Sequence, residues 1–229
     1  MGENTVLWNE FSPVCYQMDV ILTQGKKTSA FSARFGMRNL STSGSVLMNN
    51  GDRIYLRGTL ECCIFPLTGT PPTDKEGWNK VFSVAKAYGL NHLRFHSWCP
   101  PQAAFEVADD MGFYLQVELP LWSLTVGKDT TTNRFLHEEA DRILKEYGNH
   151  PSFCLMSVGN ELQPDFDFLN NLRSYMKSKD NRHLYTTTTF TFEKGHGDWP
   201  ETGDDFFVTQ WTKKGWVRGQ GIFNDESPC

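Results

Sequence analysis

Residues 90–119, LNHLRFHSWCPPQAAFEVADDMGFYLQVEL, decide the fold of this 229-residue chain. The run from Leu90 to His96 is short and largely apolar, which predicts a strand. Pro100-Pro101 then opens a helix whose Ala104, Phe105, Ala108 and Met111 share one face, and Gly112 ends it. Phe113 to Leu119 is a second apolar run of strand length. A helix that links two such strands makes them parallel neighbours in one sheet.

The alternation continues in both directions. Upstream, Ile54 to Cys62 reads as a strand. Thr73-Asp74-Lys75-Glu76 then matches a capping box and starts a helix with Trp78, Val81, Phe82, Ala85 and Tyr88 inward, stopped by Gly89. Downstream, Leu136, Ala140, Ile143, Leu144 and Tyr147 form the stripe of an amphipathic helix, and Phe153 to Val158 is a strand apolar on both faces. Asp165 caps a helix with Leu169, Leu172, Tyr175 and Met176 inward, and Leu184–Phe190 and Asp205–Trp211 supply a fifth and a sixth strand. No glycine-rich phosphate loop follows the first strand, so the nucleotide fingerprint of a doubly wound sheet is absent. Polar residues gather instead at the C-terminal ends of the strands: Arg94 and His96, Glu118, Asn160 and Glu161, Gln210. That face carries the chemistry of a (β/α)8 TIM barrel, and the fold is read as α/β, an incomplete barrel of about six strands.

The first 42 residues follow another pattern. Tyr16–Leu22, the turn-like Thr23-Gln24-Gly25-Lys26 and Thr28–Gly36 suit a hairpin from a β-sandwich, and Asn49-Asn50-Gly51-Asp52 marks a further turn. The expected division is therefore 1–42, the last strands of a sandwich domain, and 43–229, the N-terminal portion of the barrel.

Composition sets the function classes. With 39% hydrophobic, 14% aromatic and 21% charged residues the chain forms a core. No apolar run approaches the ~20 residues of a membrane span, and Met1 to Asp19 has no basic segment leading into an apolar one. The 22 Lys and Arg against 27 Asp and Glu give a net charge of -5 without any basic run, which excludes a nucleic-acid footprint. Six cysteines without a CxxC pair are too few for a disulfide scaffold. They read as mostly buried thiols, with Cys62, Cys63 and Cys154 inside apolar stretches. His92, His96 and Cys99 fit no zinc spacing, so neither a metal nor a cofactor is expected. Asn39-Leu40-Ser41 is a sequon of the kind that arises by chance.

Asn149-His150-Pro151-Ser152, a strand, and then Ser157-Val158-Gly159-Asn160-Glu161 resemble glycoside hydrolase family two, the family of β-galactosidases, β-mannosidases and β-glucuronidases. Asn49 to Gly58 is similar to the opening of that family's barrel, and Asn91-His92-Leu93-Arg94 to its second strand. Leu7-Trp8, Pro13, Tyr16 and Phe35-Gly36-Met37-Arg38 resemble the end of the immunoglobulin-like domain that precedes it. The resemblance implies a retaining exo-β-glycosidase acting on oligo- or polysaccharides, from a bacterial periplasmic or extracellular degrader. It implies Glu161 as general acid/base, Asn160 on the sugar's 2-hydroxyl, and Arg94 beside the nucleophile. His96, Trp98, Glu118, Trp122 and Trp211 join the expected substrate-binding set, with Trp98 and Trp122 the better candidates to stack on a sugar face.

The family's nucleophilic Glu stands at the end of the seventh strand, so it is expected beyond Cys229, and the chain alone is expected to be inactive. Glu226, in the polar turn Asn224–Pro228, is read as solvated. Departures weaken a galactosidase assignment: Leu60-Glu61-Cys62-Cys63-Ile64-Phe65 replaces a polar set, Phe95-His96-Ser97-Trp98-Cys99-Pro100 a Ser-His-Tyr-Pro, and Pro120 an Asn. Open strand edges predict self-association. The alternatives are a non-catalytic carbohydrate-binding or scaffold protein on the same pocket, and an inverting glycosidase using another carboxylate.

Overall fold

The computed structural model describes residues 2, 4–44, 46–163, 165–189, 203–212 and 215–223; at 207 and from 209 onward only the backbone is described. Its centre is a five-stranded parallel sheet in sequential order: β6 (Gly58–Glu61), β7 (His92–Phe95), β8 (Tyr114–Glu118), β9 (Phe153–Ser157) and β10 (Leu184–Thr186). The helices between them are α1 (Lys75–Ala87), α2 (Gln102–Met111), α3 (Thr130–Tyr147) and α4 (Phe166–Lys179). The fold is α/β with a parallel sheet, as the strand and helix periods predict.

Each helix is bounded by local chemistry. Asp129 and Asp165 accept backbone N–H bonds as N-caps of α3 and α4, and Gly112 closes α2 at φ 75°, a conformation that costs other residues. At α1 the cap is Asp74, which accepts from Gly77 N at 2.8 Å, and not the Thr73 of a capping box.

All four helices bury their stripes in one cluster: Trp78 and Phe82 of α1, Phe105 and Ala108 of α2, Leu136 and Ala140 of α3, Leu169 and Leu172 of α4. From the sheet, Leu93, Phe95, Leu115, Val117 and Met156 point into it. The residues between them, Arg94, Gln116, Glu118 and Ser157, belong to the other face, because side chains alternate along a strand. A second cluster of Trp8, Tyr114, Cys154, Leu155, Leu184, Phe206 and Val208 packs there.

Before the sheet, β1 (Tyr16–Gln24) and β2 (Lys27–Phe35) form the expected hairpin, with Gly25 at φ 60° in its turn. A meander follows: β3 (Leu40–Ser43), β4 (Val46–Asn49) and β5 (Asp52–Arg53). Asn50 and Gly51 join β4 to β5 with φ 58° and 87°, the pair of positive angles of a type I′ turn. The 42/43 division falls within β3.

Four further expectations are corrected. The strand expected over 54–62 is shorter, because Ile54 N still bonds Leu47 O of the meander at 3.0 Å and β6 begins only at Gly58. The fifth strand ends at Thr186, after which an isolated parallel bridge joins Thr189 to Asn160. The sixth does not extend the sheet: β11 (Phe207–Thr212) pairs antiparallel with β12 (Gly215–Phe223). Only the opening residue of the expected strand, Asp205, and Asp204 before it meet the edge of β10, and they do so mostly through carboxylates, which leaves no regular ladder there. Asp205 N donates to Tyr185 O at 2.8 Å, Tyr185 N to Asp205 Oδ2 at 3.0 Å, and Thr187 N to Asp204 Oδ1 at 2.8 Å. Finally, Cys154 is buried, but Cys62 and Cys63 are exposed, since they follow the end of β6 instead of lying within it.

Candidate functional site

The C-terminal ends of β7, β8, β9 and β10 meet around one carboxylate. Glu118 ends β8 fully buried, and four donors converge on it. Arg94 Nε donates at 2.6 Å, Ser97 N at 2.8 Å and Gln116 Nε2 at 3.2 Å, and the Thr189 hydroxyl donates as well. Arg94, also buried, uses its Nη2 to hold Asn160 Oδ1 and Thr189 Oγ1, the latter at 2.7 Å. The guanidinium therefore ties three strand ends into one network, in which each buried charge meets its opposite and its hydrogen bonds. Ser97 Oγ and Gln116 Oε1, on residues that bond Glu118, are buried without a partner among the described residues.

Asn160 and Glu161 follow β9. The turn depends on Gly159, where a Cβ would collide with the Leu121 carbonyl oxygen. Glu161 N donates to Thr189 O at 2.8 Å and Thr189 N to Gly159 O at 2.9 Å, which fixes the turn against the end of β10. Glu161 sits at φ 53°, a left-handed conformation that a side chain adopts only when its surroundings impose it. It is half-buried, and its Oε2 accepts from Trp122 Nε1 at 2.9 Å. Ser97 at φ 56° and Cys63 at φ 57° are strained in the same way just past β7 and β6. Among the described non-glycine residues with positive φ, only Asn50 lies away from these strand ends.

The expected site residues separate into groups. Arg94, Glu118 and Asn160 share the network, and Glu161 joins its rim with Trp122, which is 69% exposed. His96 is half-buried at the end of β7, its backbone N on Glu61 O at 2.9 Å. Trp98 turns toward the helical layer: its ring lies 5.4 Å from Phe95 and 6.3 Å from Trp78, and it lines a groove of about 700 Å3 facing α3. Trp211 is on β11 with its side chain outside the described part, and Glu226 lies outside the described residues. Among the described residues no group of His, Cys, Asp and Glu could hold a metal ion.

Sequence reasoning missed Thr189, Ser97, Gln116 and Glu61. Thr189 carried a signal, because four consecutive threonines, Thr186 to Thr189, close an apolar strand and all four are buried. Glu61 ends β6, and partial burial raises its carboxyl above the ordinary range although the Cys63 N–H bonds to it. Burial likewise raises the Cys62 thiol, with the negative charge of Glu61 adding to the effect.

No family model matches the chain. Among curated proteins it is 25% identical over 229 residues to a Formosa agariphila protein provisionally named a β-glucuronidase, covering 95% of this chain and 27% of that one. It is 24% identical over 168 residues to a β-galactosidase of Lactococcus lactis, covering 69% and 16%. The chain thus spans well under a third of either relative. A solved GH2 β-galacturonidase of Eisenbergiella tayi, bound to galacturonate, superposes with a TM-score of 0.72 at 16% identity over 82% of this chain and 34% of that one, which shows a shared fold. Over that partial length, the chain is similar in sequence to proteins named β-glucuronidase and β-galactosidase, and in fold to a solved GH2 β-galacturonidase.

Proposed function

We propose that this chain carries the acid/base half of a retaining β-glycosidase site. In this reading the parallel sheet is the first part of a (β/α)8 barrel over 43–229, and residues 1–42 are the last strands of an immunoglobulin-like sandwich. Glu161 gives its proton to the departing glycosidic oxygen and then, as a carboxylate, takes one from the water that releases the sugar. Asn160 is held by Arg94 with its amide free to meet the sugar's 2-hydroxyl, a bond that strengthens as the oxocarbenium-like state develops. Glu118, saturated by four donors, orients Arg94 and is not available to attack carbon. The attacking carboxylate, about 5 Å from the acid in a retaining site, is assigned outside the described residues.

The supporting observation is the turn after β9. It strains Glu161 into a left-handed conformation beside a buried Asn160, which has a hydrogen-bonded cation beneath it. The sugars named for the relatives, glucuronide and galactoside, give the first substrates to try. The test is hydrolysis of nitrophenyl β-glucuronide, β-galactoside, β-mannoside and β-glucoside by the protein that carries this chain, with Glu161→Gln alongside. We expect turnover of one of them to fall about 10²–10⁴-fold in the variant, the usual worth of general acid–base catalysis. Equal rates in the two proteins overturn the assignment.

A further inference from the structure

We infer that Trp122 is the platform for the departing group, and that the site favours leaving groups whose ring offers an apolar face, an aryl ring or the CH face of a second pyranose. The inference rests on Glu161 being the acid. A general acid lies within hydrogen-bond reach of the oxygen it protonates, so the departing group passes beside its carboxyl. The sugar that stays behind belongs at the buried end, because Asn160 and Arg94, the groups that would hold it, are 1% and 5% exposed. Trp122 meets Glu161 at the other, open end.

Three features make this indole a platform instead of a chance surface ring. Its one polar atom is committed, since Nε1 donates to Glu161 Oε2 at 2.9 Å. Its backbone neighbours on both sides are fastened to the acid/base turn: Asn160 N donates to Leu121 O at 3.1 Å, and Gln163 N to Ser123 O at 3.1 Å. Trp122 and Glu161 therefore hold their relative position without a ligand. The ring is also open to solvent, since Trp122 is 69% exposed. A flat, pre-positioned apolar face next to an acid binds a ring with little ordering cost.

The test is calorimetric titration of the full chain with methyl β-glucuronide, phenyl β-glucuronide and a glucuronosyl disaccharide, and with the corresponding galactosides, in wild type, Trp122→Ala and Trp122→Phe. Ring contacts of this kind are worth about tenfold in affinity. Wild type should prefer the phenyl glycoside or the disaccharide to the methyl glycoside by that factor. Trp122→Ala should bring the ratio near one, and Trp122→Phe should keep most of it. Because the readout is a ratio, a general loss of affinity does not imitate the effect, and an exposed position leaves folding intact. A gain confined to the phenyl compound assigns an aryl leaving group, and one confined to the disaccharide assigns a sugar. An unchanged ratio in Trp122→Ala, no preference in wild type, or no binding of any probe overturns the inference. Failure of the acid/base assignment shows elsewhere, as hydrolysis unaffected by Glu161→Gln.

Discussion

Arg94 and Glu118 show what a buried charge requires of its neighbours. Both side chains are almost wholly out of water, at 6% and 0% exposure, so the pair exists only because every oxygen and most N–H groups find partners. Taking one member away leaves the other uncompensated, a change that costs about 3–5 kcal/mol, far more than the net worth of the pair. Arg94→Met should therefore lower stability by that amount in urea titration, and the double variant Arg94→Met/Glu118→Met should recover much of it. A single-variant loss under about 1 kcal/mol would mean that water reaches Glu118. The same arithmetic explains which site residues were legible in the sequence. Arg94, Glu118, Asn160 and Glu161 stood out as polar residues closing apolar strands, a pattern without a packing rationale. Ser97 and Cys63 did not, because positive φ at a non-glycine residue is imposed by tertiary contacts that no local pattern records.

At the level of elements, the pairing of β6 with β7 sets a tight limit. Gly58 lies opposite His92, and a Cβ at Gly58 would overlap the His92 ring. That ring is buried and held by Tyr114 O at 2.7 Å, so it cannot yield cheaply. Gly58→Ala should cost about 1–3 kcal/mol, as overpacking in a core does, read as a lower urea midpoint with unchanged slope. The same histidine makes the strand pair sensitive to acid. Burial lowers its pKa from 6.5 to about 4, so between those values the unfolded chain binds a proton that the folded one refuses. Stability carried by His92 is complete above pH 6.5 and is lost as the pH falls toward 4, by about 3 kcal/mol in all. Asp204 works in the opposite sense. Burial raises it to about 7, so its contribution is present at low pH and is lost as the pH rises toward 7. The readout is therefore the difference between wild type and His92→Gln, which should change by about 3 kcal/mol across that range; a constant difference would show that His92 is protonated in the folded state. Elements with strong periods and caps, α2 through α4, were readable from the sequence for this reason: their signals are local. The place of β11 was not, because strand pairing is decided by which edge is open, and Asp204 and Asp205 had closed the edge of β10.

Across the whole molecule, two apolar surfaces remain without a cover among the described residues. One is the outer edge of β6, where Gly58, Thr59 and Leu60 are exposed. The other is a face of the β1–β2 hairpin. Cross-strand partners share a face, so Met18, Val20, Leu22 and Phe31 lie together, at 48%, 45%, 70% and 64% exposure. A contiguous exposed apolar patch on a twisted hairpin, and an unpaired strand edge, each invite association. Their contributions separate by mutation. A charge on the hairpin face disrupts packing there without touching the β6 ladder, and Leu60→Lys blunts the edge without touching the hairpin. The full chain should sediment as a mixture whose larger species grow with concentration. Val20→Lys with Phe31→Lys should shift it toward monomer, with a melting temperature close to wild type, because neither side chain is buried. If only Leu60→Lys has that effect, the strand edge and not the hairpin face is the adhesive surface. A wild-type chain that stays monomeric across the concentration range would show that neither surface associates in water.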